Sequence, residues 1–124
     1  MITTFLQVAL GGAFGAMARF GTGLLAARFA GPAMPLGVLT ANLLGCLAMG
    51  LFVGLAGLRG WTPFNPLVAT GFLGGFTTFS SFSLEAIVLM QRGQGGIALL
   101  YVGLSVLGGL AALWLGLTFA RALA

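Results

Sequence analysis

The chain has almost no charge. Of its 124 residues, five are arginine and one is glutamate, and there is no lysine, aspartate or histidine. Soluble domains carry roughly 25% charged residues; here the share is 5%, which leaves no room for a soluble domain. Without lysine there is no phosphate-binding loop of the Gly-x-x-x-x-Gly-Lys-Ser/Thr type. The arginines are scattered, whereas a nucleic-acid surface needs them clustered. The single cysteine, Cys46, excludes an internal disulfide, and no histidine exists to build a metal site with it. Cys46 reads as a small packing residue in an apolar helix.

What is present is apolar: 60% of residues are hydrophobic and the mean hydropathy is +1.16. The gaps between charges delimit four spans, near 2–27, 36–57, 66–91 and 97–120. Each has about the 20 residues needed to cross a bilayer core. Pro32 and Pro35 mark the first loop, Thr62 to Pro66 open the third span, and Gln91 to Gly96 form a tight polar turn. The N-terminal residues lack the basic start of a signal peptide, so the first apolar segment is expected to be a retained helix. The expected fold is an all-α, multi-pass protein of the cell membrane, with one four-helix domain over residues 1–124.

Loop arginines orient membrane proteins. Arg28 and Arg92 fall on one side, and Arg59 and Arg121 on the other with the amino terminus. This near balance is compatible with insertion both ways, or with one orientation set by the first helix. Four short helices cannot easily enclose a pathway, so a conducting protein of this size must pair. Gly11-xxx-Gly15, Gly50-xxx-Gly54 and Gly71-xxx-Gly75 are small-residue spacings that suit either pairing or packing within one chain.

Residues 71–83, Gly-Phe-Leu-Gly-Gly-Phe-Thr-Thr-Phe-Ser-Ser-Phe-Ser, interrupt the third span with three glycines and five hydroxyl residues. Lipid offers backbone groups no partners, so such a break is tolerated only inside protein or along a polar cavity. Broken helices at membrane depth commonly hold ions, and free carbonyls there suit a hard cation such as Na⁺. Phe79 and Phe82 are three apart and neighbour each other; ring edges carry partial positive charge and can face an anion. Thr78, Ser81 and Glu85 share a helical face that leads from the break toward the helix end.

Other polar groups lie within the spans. Arg19 either snorkels to the interface or faces inward as a cationic vestibule. Asn42 can donate two amide hydrogen bonds to an anion, or bond to a neighbouring helix. Tyr101 and Ser105, four apart, share a face with Gly108 and Ala112, forming either a narrow polar track or helix-to-helix glue.

The motifs Gly11-Gly12-x-x-Gly15-Ala16-x-x-Arg19-Phe20, Gly37-x-Leu39-x-x-Asn42-x-x-Gly45 and Gly71-Phe72-x-Gly74-Gly75-Phe76-Thr77-Thr78-Phe79-Ser80-Ser81-Phe82-Ser83 resemble those of the small bacterial fluoride channels, the CrcB or Fluc proteins. Phe20 stands where tyrosine is common, and Ser81 where threonine is common. The resemblance covers the whole chain. It implies an antiparallel, dual-topology homodimer with two fluoride pathways. It also implies a structural Na⁺ at the dimer centre, held by the carbonyls of Gly74 and Thr77. Phe79 and Phe82 would form an aromatic box and Asn42 would donate to fluoride. Ser81, Ser83, Tyr101, Ser105 and Glu85 would lie on or near the track, with Arg19 at a vestibule. The expected function is passive, selective fluoride export, without enzymatic activity.

Two other functions compete. A small multidrug-type cation/proton antiporter needs a membrane-embedded carboxylate in its first helix, and residues 2–27 contain none. A non-transporting membrane assembly subunit has no use for so costly a break in the third span.

Overall fold

The computed structural model describes residues 1–31 and 34–123; Pro32, assigned to the first loop from the sequence, lies outside them. Helix α1 is Ile2–Ala30 and α2 is Leu36–Arg59. A single 3₁₀ turn, Thr62–Phe64, leads into a π-helical stretch, Pro66–Leu73, continued by one α-helical turn, α3 (Gly74–Phe76). After a two-residue break the third span resumes as α4 (Phe79–Gln91), and α5 is Gly95–Ala122. Among the described residues, four helical spans are thus long and apolar enough to cross a membrane, the third running Thr62–Gln91 in pieces. Apolar side chains dominate their outer faces, as lipid contact requires: Phe5, Phe20, Leu107 and Trp114 are all exposed.

Glycine sets how the helices meet. Membrane helices gain little from apolar burial, so close backbone approach and van der Waals packing carry their association. On α1, a Cβ at Gly11 would collide with the Leu67 carbonyl, and one at Gly15 with the Phe72 carbonyl. From the other side, a Cβ at Gly75 would come 2.8 Å from the Gly12 oxygen. Helices α2 and α5 are joined the same way: Gly50 faces the Leu113 carbonyl, and a Cβ on Gly116 would lie 2.8 Å from the Leu51 nitrogen. Gly54 meets the Ala120 methyl. All three small-residue spacings seen in the sequence are therefore used for packing within one chain.

A second, side-chain core joins α2, α4 and α5. Leu39, Phe82, Ala86, Leu89, Ala98 and Tyr101 form one buried cluster, with Tyr101 fully enclosed. This cluster anchors the half of the third span that follows the break.

Candidate functional site

The glycines of the third span do not unwind it. Gly71, Gly74 and Gly75 are all helical, and the extended backbone is confined to Thr77 (φ −87°, ψ 154°) and Thr78 (φ −150°, ψ 122°). The local cause is hydroxyl chemistry. Thr77 Oγ1 donates to the Leu73 carbonyl at 3.0 Å, which the Thr77 N–H also reaches at 3.0 Å. Thr78 then serves as the N-cap of α4, its Oγ1 accepting from the Ser81 N–H at 3.2 Å. Threonine at an N-cap replaces one of the partners that the first turn of a helix lacks. The π-helical stretch before the break carries its own register change, with the Gly74 N–H reaching back five residues to the Ala69 carbonyl. Such wide turns recur at functional positions.

Two side chains from other helices hold the broken segment. Asn42 on α2 grips the Thr78 peptide from both sides: Oδ1 accepts from its N–H at 2.8 Å and Nδ2 donates to its carbonyl at 3.1 Å. Of the two uses open to Asn42 from the sequence, the bond to a neighbouring helix is made, and one N–H stays free. One turn along, Gly45 lacks the side chain that would collide with the Thr77 methyl. Arg19 on α1 turns inward, and its Nε donates to the Gly75 carbonyl at 3.1 Å. An unpaired arginine at the centre of a membrane helix costs about 2.5–3.5 kcal/mol on insertion scales. A hydrogen bond to a charged donor returns about 1.5–3 kcal/mol. The two are of similar size, so the inward contact offsets most of the cost.

Among the described residues, the carbonyls of Gly74 and Thr77 accept no bond from the turn, cap or side-chain donors around the break. Gly74 is also exposed. Carbonyl oxygens are the hard donors that suit Na⁺, and two from one chain would need more from elsewhere to complete a shell. Among the described residues no cluster of histidine, cysteine, aspartate or glutamate offers a different metal site.

Beside the break lies a pocket of about 470 Å³, with Asn42, Thr77, Phe79, Phe82 and Ser105 in its wall. These come from α2, the break, α4 and α5. Phe79 and Phe82 are tilted at 57° with centroids 5.6 Å apart, and Phe82 meets Tyr101 at 5.4 Å. Tyr101 donates from its hydroxyl to Glu85 Oε2 at 2.9 Å, so ring and carboxylate form one chain of contacts. Ser105 Oγ is buried without a hydrogen-bond partner. Helical serine often bonds back to its own helix; Ser105 does not, which leaves its hydroxyl available.

The remaining expected residues fall elsewhere. Ser83 Oγ bonds back to the Phe79 carbonyl at 2.9 Å, and Ser81 contributes its backbone N–H to the Thr78 cap. Neither lines the pocket. Glu85 borders a different pocket of about 330 Å³, together with Arg92 near the end of α4. Arg19 borders another, of about 370 Å³, between α1 and α2. Several residues of the pocket or break were not picked out as site residues from the sequence, Thr78 and Cys46 among them. Thr78 is the hub of the break, and its Thr-x-x-Ser81 cap spacing was the available signal. Cys46, one turn from Asn42, lines the pocket as well; its residue type carried no signal beyond packing.

Comparison with known sequences now decides the family. The family described as "CrcB-like protein, Camphor Resistance (CrcB)" matches residues 6–117. The chain belongs to the CrcB-like family. Similar proteins include one from Paracoccus denitrificans, 52% identical over 97% of this chain and 96% of its own length. Another, from Ruegeria sp., is 53% identical over 98% and 97%, and one from Cereibacter sphaeroides is 49% identical over 98% and 97%. Each of the three is named "Fluoride-specific ion channel FluC". This CrcB-like chain is a multi-pass membrane protein and not an enzyme.

Proposed function

We propose that this chain forms a fluoride-selective channel that lets fluoride leave the cell passively across the plasma membrane. The observation that carries the reading is about 50% identity, over nearly the whole chain, to proteins named as fluoride-specific ion channels. Fluoride is small and strongly hydrated, so a pathway must replace its water with several donors at short range. Asn42, Ser105, Phe79 and Phe82 border one pocket, and an amide N–H, an unpartnered hydroxyl and ring edges are the donor types such a pathway can use. None of them is a fixed cation, which keeps binding weak enough for release. Tyr101, Glu85, Ser81 and Ser83 belong to the surroundings of this track, and Arg19 attracts anions at its mouth.

The channel unit is an antiparallel homodimer of dual topology. Gly74, Phe79 and Ser80 are exposed at the break, and Phe79 is 78% exposed. Backbone and hydroxyl groups at that depth cannot face lipid, so a second copy covering them supplies the missing wall. The near-even arginines suit insertion in both orientations. Gly74 and Thr77 from both copies would hold one Na⁺, which would supply positive charge that binds the two breaks together.

The test is efflux from liposomes containing the purified protein alone. Fluoride is expected to leave rapidly and chloride to stay. Retention of fluoride by liposomes with verified, inserted dimers would overturn the reading. Removal of Na⁺ is expected to weaken the dimer, measured by cross-linking.

A further inference from the structure

Arg19 has a second role in the geometry, apart from its charge. We propose that Arg19 is a positioning residue that replaces a helical hydrogen bond lost at the break, through its Nε contact with the Gly75 carbonyl. The inference rests on the fluoride-channel reading for its functional consequence, but not for the contact itself.

In an unbroken helix each carbonyl accepts from the N–H four residues on. Leu73 keeps that partner, since the Thr77 N–H reaches it. Gly74 and Gly75 would take Thr78 and Phe79. The extended backbone at Thr77 and Thr78 carries both N–H groups away. The Thr78 N–H goes to Asn42 Oδ1. The Gly75 carbonyl receives Arg19 Nε at 3.1 Å. Two side chains thus replace the interrupted ladder, and the Gly74 carbonyl is the one left over. An available Gly74 oxygen and an occupied Gly75 oxygen are two outcomes of the same arrangement.

Arg19 is well placed for this. It follows Gly12 and Ala16 along one face of α1, at the spacing of helical neighbours. On that face α1 meets the segment at backbone contact, with a Cβ on Gly75 falling 2.8 Å from Gly12 oxygen and 3.3 Å from Ala16 nitrogen. The next turn brings the guanidinium to the Gly75 oxygen. The contact uses one of five guanidinium N–H groups, so holding the segment and attracting an anion are separable.

Three substitutions separate them. Arg19→Gln places an amide nitrogen the same number of bonds from Cα as Nε, and removes the charge. Arg19→Lys keeps a charge. Arg19→Met keeps an unbranched side chain with neither donor nor charge. Fluoride efflux from liposomes is measured for each, along with amide hydrogen exchange over residues 71–83 in the assembled protein. Arg19→Gln is expected to conduct about threefold faster than Arg19→Met or more, the ratio that a membrane polar contact of about 0.6 kcal/mol sustains, with exchange close to the native rate. Arg19→Met is expected to exchange faster in that segment. Arg19→Gln as slow as Arg19→Met, with Arg19→Lys conducting, would overturn the proposal in favour of charge alone. Native exchange in Arg19→Met would overturn it too. If the unaltered protein passes no fluoride, the channel reading fails, while the exchange measurement still decides the role of Arg19.

Discussion

Asn42 and Thr78, on different spans, share two hydrogen bonds: Oδ1 accepts from the Thr78 N–H at 2.8 Å, and Nδ2 donates to the Thr78 carbonyl at 3.1 Å. A side-chain amide here takes the place of a peptide group, with donor and acceptor matched to an extended backbone. That pairing makes the break a defined structure and leaves one Asn42 N–H unused, in a residue that lines the pocket.

Asn42→Ala leaves the Thr78 N–H and carbonyl without these partners. Polar contacts in membranes average about 0.6 kcal/mol each, so the pair predicts a loss of about 1–2 kcal/mol. Unfolding in a graded mixture of denaturing and mild detergents measures it. Fluoride efflux is expected to fall at least about tenfold, because pathway and break lose the same residue. Unchanged stability would show that the two bonds are not formed in the membrane.

Ser105→Ala should dissociate stability from transport. Ser105 Oγ is buried and unpartnered, so its removal deletes no protein bond and relieves an unmet desolvation cost, and stability should not fall. Fluoride efflux should nevertheless drop. Native efflux in a stable Ser105→Ala protein would remove this hydroxyl from the track.

Phe79→Ile and Phe82→Ile should both reduce fluoride efflux and leave the dimer assembled. Their costs within the chain should differ. Phe82 is 8% exposed and packs on Tyr101, whereas Phe79 is 78% exposed in the single chain. Phe82→Ile is therefore expected to lower stability by about 1 kcal/mol or more through changed core shape, and Phe79→Ile by less. Normal efflux in both would sink the aromatic-box role.

Gly15→Ala is expected to disrupt the α1 contact, since a Cβ there would collide with the Phe72 carbonyl, a backbone atom unable to move aside. Overpacking of this kind costs about 1–3 kcal/mol. Gly21→Ala, with nothing within 4 Å of its added Cβ, should be neutral. Detergent unfolding of the two variants compares them directly.

The number of spans, their membrane character and the position of the interruption were legible in the chain. Each depends on local composition: apolar runs long enough to cross a bilayer, few charges, and hydroxyl residues at one depth. The motifs also carried the family, because they are continuous in sequence. The reason for the third-span glycines was not legible. Their clustering suggested unwinding, yet all three remain helical, Gly71 and Gly75 lie against α1, and Thr77 and Thr78 make the break. Either use needs a residue without a side chain, so only the neighbouring helix distinguishes them. For the same reason, Arg19 facing inward and Arg19 snorkelling outward look alike in sequence. The distant Gly75 carbonyl decides between them, 56 positions along the chain. Composition and periodicity determine what each segment can be; which of its polar groups stay free depends on partners brought in from other helices.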